Sequence, residues 1–196
     1  MNIAVIDYGA SNLQSVVNAL TVLDQNFEIV GEPDRLADFD KVILPGVGAA
    51  GSAMEKLQDS GFAKILPKLK VPVLGVCLGL QLFADSSEEG DTKCLSIIPG
   101  QVKRFQTDLK VPQMGWNKVG LVKATPLTAD IPNNSFFYFV HSYYLETRPE
   151  FVIGQTVYDI TFATIVQKGN FYATQFHPEK SGQWGMKLLS NFCDLC

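Results

Sequence analysis

Hydrophobic positions in the first half of the chain follow two alternating periods. Short apolar runs are typical of strands buried in a parallel sheet, and they occupy residues 3–7, 27–30, 41–44 and 71–76. Between and after these runs, apolar residues recur at intervals of three and four, which predicts helices over residues 13–23, 50–57, 62–69 and 77–84. Strands and helices in this order predict a parallel sheet with helices on both faces.

After Gly90 the helical spacing gives way to short β-rich segments separated by turn signals. The strands are predicted at residues 101–105, 118–122, 136–140, 151–158, 162–167 and 171–176. A last helix follows at residues 183–194. We therefore expect a three-layer α/β fold, with a mostly parallel central sheet, helices on both faces and a β-rich C-terminal half.

Individual residues refine the helix boundaries. Ser11 precedes the first predicted helix and is suited to cap its N-terminus. Pro67 lies inside the third and is expected to shorten or bend it. In the last helix, Met186, Leu189 and Phe192 are spaced to form the inner face.

Composition excludes several classes of protein. Of 196 residues, 46% are hydrophobic and 18% charged, which argues for a real core and against disorder. Lys and Arg total 16 against 20 acidic residues, so there is no basic excess to bind nucleic acid. No apolar run reaches the roughly 18 residues of a membrane span, and the N-terminus lacks the basic region of a signal peptide. With no linker between the halves, we expect one cytoplasmic domain over residues 1–196.

The four cysteines are too few and too scattered for a disulfide framework. Cys193 and Cys196 have CxxC spacing, but a zinc site needs a second pair or nearby histidines. The chain has two histidines, His141 and His177. A redox CxxC motif would follow a strand, whereas this pair lies at the C-terminal end. We expect two ordinary thiols there and no metal.

Cys77 is the candidate nucleophile. It lies at a predicted strand-to-helix turn, with Gly75 and Gly79 two residues to either side, and a sharp, crowded turn needs such small neighbours. The positive end of the helix favours the thiolate, which is the reactive form. The alternative is a buried structural cysteine flanked by unrelated glycines.

His177 is the candidate base. It follows an apolar strand, and Glu179 two residues later can fix the tautomer and orientation of its ring. The alternative is a hydrogen-bonded histidine at a strand end. His141 follows an aromatic run, and nothing nearby in the sequence marks it as a base.

Glycine-containing turns end two other predicted strands. The PGVG segment at residues 45–48 follows a strand expected beside that of Cys77, so its backbone N–H groups can face an oxyanion, each typically worth about 10²–10³ in rate. Gly9 ends the first strand at the same carboxyl edge, where open α/β sheets bind ligands. The P-loop pattern GxxxxGK[ST] is absent, so a phosphate-binding loop of that type has no support.

In combination, these motifs resemble the class I, triad-type glutamine amidotransferases. GVCLGLQ at residues 75–81 and FHPE at residues 176–179 are shared across that family. Four further motifs resemble the glutaminase subunits of imidazole glycerol phosphate synthases: VIDYGxxNLxS at 5–15, LPGVG at 44–48, MGWN at 114–117 and FVHSY at 139–143. The resemblance spans the chain to its last helix. Pro112-Gln113 stands where that subfamily often has Pro-His.

The resemblance implies a Cys-His-Glu triad. Cys77 would attack the side-chain amide of glutamine to form a thioester, and His177, oriented by Glu179, would pass a proton to the departing ammonia. Gly48 and the backbone of Leu78 would form the oxyanion hole. The PGVG segment would have to reorient first, so resting glutaminase activity would be low.

The resemblance also implies how glutamine is held. Gln81 and Glu89 match positions that bind its amino-acid end, and the Ser142 and Tyr143 backbone would assist. Hydrolysis of this kind requires neither a metal nor a cofactor.

A partner is implied as well. Trp116 and Asn117 would lie near the interface with a (β/α)₈-barrel cyclase/synthase subunit in a heterodimer. That subunit uses the ammonia to make imidazole glycerol phosphate and AICAR in histidine biosynthesis. Three alternatives stay open: an ammonia donor for a surface-polysaccharide sugar-amidating enzyme, a stand-alone cysteine hydrolase, and a non-catalytic binding or regulatory subunit.

Overall fold

The computed structural model describes residues 1–9 and 12–196. Its α-helices are α1 (Leu13–Val22), α2 (Ala50–Asp59), α3 (Phe62–Ile65), α4 (Leu78–Leu82) and α5 (Gly182–Leu195). Its strands are β1 (Ile3–Ile6), β2 (Phe27–Val30), β3 (Lys41–Leu44), β4 (Val73–Val76), β5 (Ser86–Ser87), β6 (Thr92–Lys93), β7 (Gly100–Arg104), β8 (Gln113–Leu121), β9 (Ser135–His141), β10 (Tyr143–Thr147), β11 (Val152–Tyr158), β12 (Ile160–Lys168) and β13 (Phe171–Thr174).

Five neighbouring strands form a parallel sheet in the order β2-β1-β3-β4-β13. The sheet continues from β13 through antiparallel β12 and β10 to β7 and the short strands β5 and β6. A second antiparallel branch leaves β12 and runs through β11 and β8 to β9. The predicted α/β fold with a β-rich C-terminal half is therefore confirmed.

The parallel strands are buried on both faces, as continuous apolar runs predict. Along β1, Ile3 and Val5 belong to a core shared with α1 and α5. Ala4 and Ile6 belong to a second core shared with α2 and α3. The sheet therefore lies between two helical layers, and no helix in the described residues is long and apolar enough to cross a membrane.

Prolines account for several element boundaries. β4 begins at Val73 rather than at residue 71, because Pro72 has no N–H for the ladder. α3 ends at Ile65 and passes into a 3₁₀ turn that contains Pro67, as predicted. Four further 3₁₀ turns that the apolar pattern does not predict begin with proline: Pro33–Asp38, Pro126–Thr128, Pro149–Phe151 and Pro178–Lys180.

Four strands differ clearly from the prediction, and two of them, the two-residue strands β5 and β6, are too short to leave a pattern. β8 begins at Gln113 rather than at residue 118. The prediction misses its first half because the apolar residues Met114 and Trp116 are exposed there, whereas the polar residue Gln113 is buried. β10 is absent from the prediction, because Ser142 alone separates it from β9 and the two read as one aromatic run. The predicted cap residue Ser11 lies outside the described residues.

Candidate active site

Cys77 occupies a strained turn between β4 and α4. Its φ is +52°, a conformation that ordinary residues adopt rarely and mostly at functional sites. Its N–H donates to Thr174 O of β13 over 2.8 Å. A Cβ on Gly75 would lie 2.8 Å from the Gly79 carbonyl carbon, and a Cβ on Gly79 would lie 2.5 Å from Leu44 O. Both glycines are therefore required by close backbone packing, as their spacing around Cys77 predicts.

His177 and Glu179 lie beside this turn, after β13, with fully buried side chains. His177 Nδ1 is 2.8 Å from Glu179 Oε1, so the carboxylate fixes the imidazole tautomer. Asn12 Nδ2 donates to the same oxygen over 2.7 Å. In the sequence, Asn12 stands out only as part of the VIDYGxxNLxS motif. No local pattern connects it to Glu179, which lies 167 positions away.

The charge state of His177 follows from its neighbours. Burial opposes protonation, but the contacts with Cys77 and Glu179 outweigh it and raise the pKa of His177 to about 10. The ring is therefore an imidazolium at neutral pH, and an imidazolium beside sulfur stabilises a thiolate. Its Nε2 makes no hydrogen bond within the described part of the chain, so that proton is available to a reacting group.

A cavity of about 300 Å³ adjoins Cys77. The residues that the sequence predicts for the oxyanion hole and for glutamine all line it: Gly48, Leu78, Gln81, Glu89, Ser142 and Tyr143. Gln81 Nε2 donates to Tyr143 O over 3.1 Å. Glu89 Oε2 accepts from Ala50 N at the start of α2 over 2.7 Å, so Glu89 also anchors the helix that follows the PGVG segment.

The PGVG segment blocks one predicted oxyanion donor. Leu78 N–H donates to Gly46 O over 3.3 Å and is therefore engaged by the protein's own backbone. Gly48 has φ +109°, and apart from Gly48 and its two chain neighbours no described atom lies within 4 Å of the position a Cβ would take there. Glycine adopts such a conformation without strain. The two predicted donors therefore lie at the cavity, but in this arrangement the Leu78 N–H is not free to face an oxyanion.

His141 supports the cavity wall. Its Nδ1 is 2.7 Å from Tyr143 O and its Nε2 is 3.1 Å from Gln113 Oε1. Burial lowers the pKa of His141 to about 4, so the ring is neutral at pH 7. With Nδ1–H donating to Tyr143 O, Nε2 is an acceptor and Gln113 must turn its NH₂ group towards it. Gln113 thus fixes the ring that orders the Tyr143 carbonyl.

We expect His141 to make the protein less stable in acid. The folded state keeps the ring neutral down to about pH 4, whereas the unfolded chain protonates it near pH 6.5. Between these values the unfolded state binds the extra proton, so the free energy of unfolding falls as pH falls. His141→Asn keeps a donor towards Tyr143 O and removes the titration. When the pH is lowered from 7 to 5, the free energy of unfolding measured with urea should fall by about 2 kcal/mol more in wild type than in the variant. Equal losses would contradict this prediction.

Trp116 and Asn117 lie on β8 and do not line this cavity. Trp116 is 55% exposed, and the exposed residues Met114 and Phe136 lie on the same face of the β8–β9 ladder. Asn117 Nδ2 donates to Val157 O over 3.0 Å. Trp116 is therefore accessible to another molecule, and Asn117 ties β8 to β11.

The remaining cysteines show no sign of reactivity. Burial raises the pKa of Cys193 to about 12 and that of Cys94 to about 11. Cys94, Cys193 and Cys196 are free thiols within the described structure. Residues 1–9 and 12–196 contain no group of three or more His, Cys, Asp or Glu residues arranged to hold a metal ion.

Comparison with known proteins gives a consistent result. The family model described as glutamine amidotransferase class-I matches residues 4–195. Proteins named imidazole glycerol phosphate synthase subunit HisH are similar over nearly the whole chain. The relative from Dehalococcoides mccartyi is 45% identical, covering 97% of this chain and 95% of its own. Those from Methanocaldococcus jannaschii and Haemophilus influenzae are 46% and 45% identical, covering 98% and 99% of this chain and 99% and 98% of their own.

Solved structures share the fold. PurLQS from Thermotoga maritima aligns with a TM-score of 0.75 at 19% identity, covering 97% of this chain and 96% of that one. A glutamine amidotransferase from Thermotoga maritima aligns with a TM-score of 0.67 at 15% identity, covering 99% of this chain and 83% of that one. At these identities the likeness concerns the fold alone. The matches to the family model and to the relatives establish that the chain belongs to the class I glutamine amidotransferases.

Proposed function

We propose that this chain is the cytoplasmic glutaminase subunit of an imidazole glycerol phosphate synthase, formed by one domain over residues 1–196. It hydrolyses glutamine to glutamate and ammonia and passes the ammonia to a separate synthase subunit in histidine biosynthesis. The observation that carries the proposal is a buried His177–Glu179 pair beside Cys77 at a strained strand-to-helix turn. Relatives 45–46% identical over nearly their full length carry the name of that subunit.

The first half-reaction forms a thioester. The Cys77 thiolate attacks the side-chain carbonyl carbon of glutamine, and the carbonyl oxygen becomes an oxyanion. The tetrahedral intermediate then collapses as its C–N bond breaks. His177 gives its Nε2 proton to the departing nitrogen, so ammonia leaves and the imidazole becomes neutral.

The second half-reaction regenerates the enzyme. Neutral His177 takes a proton from water as the water oxygen attacks the thioester carbon. The C–S bond breaks, glutamate leaves and the thiolate–imidazolium pair is restored. Glu179 keeps Nδ1 protonated throughout and stabilises the imidazolium, as the carboxylate does in other catalytic triads.

The amino-acid end of glutamine is proposed to occupy the cavity next to Cys77. Glu89 uses one carboxylate oxygen on Ala50 N, so its other oxygen is free to meet the α-ammonium group. Gln81 holds the Tyr143 carbonyl, and the backbone at Ser142 and Tyr143 completes the wall. Every step uses side chains and backbone groups of this chain together with water, without a cofactor.

Low resting activity is part of the proposal. Leu78 N–H must leave Gly46 O before it can face the oxyanion, and Gly48 has space to turn with it. A missing oxyanion donor costs about 10²–10³ in rate. The exposed apolar surface around Trp116 is the proposed contact with a (β/α)₈-barrel synthase subunit, whose binding would favour the rearranged segment.

We expect the purified chain alone to hydrolyse glutamine slowly. Its complex with the synthase subunit should do so about 10²-fold faster or more once the synthase subunit has bound its nucleotide substrate. Glutamate release from the chain, from the complex and from the liganded complex gives the measurement. A mutant synthase subunit that does not assemble provides the control.

Each alternative predicts a different result in this assay. Full activity of the isolated chain would indicate a stand-alone hydrolase. Activation by a sugar-amidating partner but not by the imidazole glycerol phosphate synthase subunit would indicate the paralogous ammonia donor. If a glutamine-analogue electrophile failed to label Cys77 even in the complex, the chain would be a non-catalytic subunit.

A further inference from the structure

Buried polar atoms without hydrogen bonds mark a residue that the mechanism above does not use. Within residues 1–9 and 12–196, three buried side-chain atoms have no partner: Tyr8 Oη, His177 Nε2 and Glu179 Oε2. Folded proteins satisfy nearly all such atoms, and exceptions need a specific explanation. His177 and Glu179 belong to the proposed triad, so the atom that still needs an explanation is the Tyr8 hydroxyl oxygen.

Tyr8 follows β1 and is 5% exposed. Its Oη lies 2.9 Å from the position that a Cβ on Gly46 would occupy, and Leu78 Cβ lies 3.0 Å from the same point. The hydroxyl therefore lies against the main chain of the PGVG segment. Burial, together with the nearby Cys77, raises the pKa of Tyr8, so the hydroxyl keeps its proton and can donate.

The acceptor for this donor is supplied when the oxyanion hole forms. In the resting arrangement Gly46 O accepts from Leu78 N–H. Turning that N–H towards an oxyanion deprives Gly46 O of its donor, and an unpaired buried carbonyl is costly. The Tyr8 hydroxyl is a neighbouring donor with no partner among the described residues. If it donated to Gly46 O, this cost would be removed.

We propose that Tyr8 is a positioning residue that donates to Gly46 O when the PGVG segment rearranges, and so stabilises the active oxyanion hole. Within the described residues, the Tyr8 hydroxyl is an unpaired donor in the resting state, whereas the active state pairs it with the carbonyl that Leu78 releases. Tyr8 touches neither glutamine nor the sulfur in this role. The proposal rests on the glutaminase function proposed above.

Tyr8→Phe separates this role from a merely structural one. Because the hydroxyl has no partner among residues 1–9 and 12–196, its removal should leave the urea unfolding midpoint unchanged or slightly raised. In the liganded complex, we expect kcat for glutamine to fall up to about tenfold, the equivalent of one hydrogen bond, with KM for glutamine unchanged. Ammonia-dependent turnover should stay at the wild-type level, because the synthase site lies on the partner, and co-elution of the two subunits in size-exclusion chromatography should show that assembly is intact.

Tyr172→Phe is the matched control, since Tyr172 is a buried tyrosine on β13 that packs against Phe192 of α5. Its glutaminase kcat should equal that of wild type. An unchanged kcat in Tyr8→Phe, or a fall accompanied by an equal loss of stability, would overturn the role of Tyr8 alone. Absence of glutaminase activity from the wild-type complex would overturn the proposed function and this inference together.

Discussion

Cys77→Ala is expected to abolish glutamine-dependent turnover of the complex and to leave ammonia-dependent turnover intact. Without the sulfur no thioester forms, and the loss in kcat should be about 10⁴-fold or more, as for other removed nucleophiles. Free ammonia bypasses the missing step because the synthase site lies on the partner. Glutamate release and synthase product formation, measured with glutamine and then with an ammonium salt, test both parts.

Cys94→Ala is the matched control, because Cys94 is a free, half-buried thiol away from the cavity. It should keep both activities, and a glutamine-analogue electrophile should label it at Cys77 as in wild type. Glutamine hydrolysis that survives in Cys77→Ala would show that Cys77 is not the nucleophile. Loss of both activities with assembly intact would contradict the division of labour between the two subunits.

The turn that carries Cys77 could be predicted from sequence because its requirements are local. An apolar run followed by GVCLG indicates where a strand meets a helix. A Cβ at residue 75 or 79 would lie only 2.5–2.9 Å from backbone atoms in the structure. His177 and Glu179 could be added because one spaced pair supplies both a base and a carboxylate. Their proximity to Cys77 follows from the topology, since β4 and β13 are neighbours in the sheet.

The rest of the site depends on contacts between distant segments. Asn12 reaches Glu179 across 167 positions, and the hydroxyl of Tyr8 lies against Gly46 only because β1 and β3 are adjacent. Neither contact leaves a periodic signal in the sequence. The orientation of the Gly46 carbonyl is likewise invisible there, because glycine permits several backbone conformations at similar energy.

Glu179 does not line the cavity next to Cys77, but its contacts explain why its carboxylate should matter. Its Oε1 accepts from both His177 Nδ1 and Asn12 Nδ2, so two donors hold one oxygen in place. The same contact contributes to the raised pKa of His177. The orientation of the imidazole, and with Cys77 its charge, therefore depend on this side chain.

Glu179→Gln should lower glutaminase kcat by about 10³–10⁴-fold. The amide keeps the shape of the side chain but removes the charge that helps to keep His177 protonated, and its NH₂ group favours the tautomer with Nδ1 unprotonated. The pKa of His177 should fall from about 10 as a result. A ¹H–¹⁵N titration of the imidazoles can follow this shift, because the chain has two histidines and the pKa of the other, His141, is about 4.

Glu55→Gln removes a carboxylate from the exposed surface of α2 and provides the matched control for charge. It should leave kcat and both imidazole titrations unchanged. A Glu179→Gln enzyme within about tenfold of wild type would show that the carboxylate is not a functional member of a triad. A large loss of kcat with an unchanged His177 pKa would instead assign Glu179 to orientation alone, because the electrostatic contribution predicts that both quantities fall together.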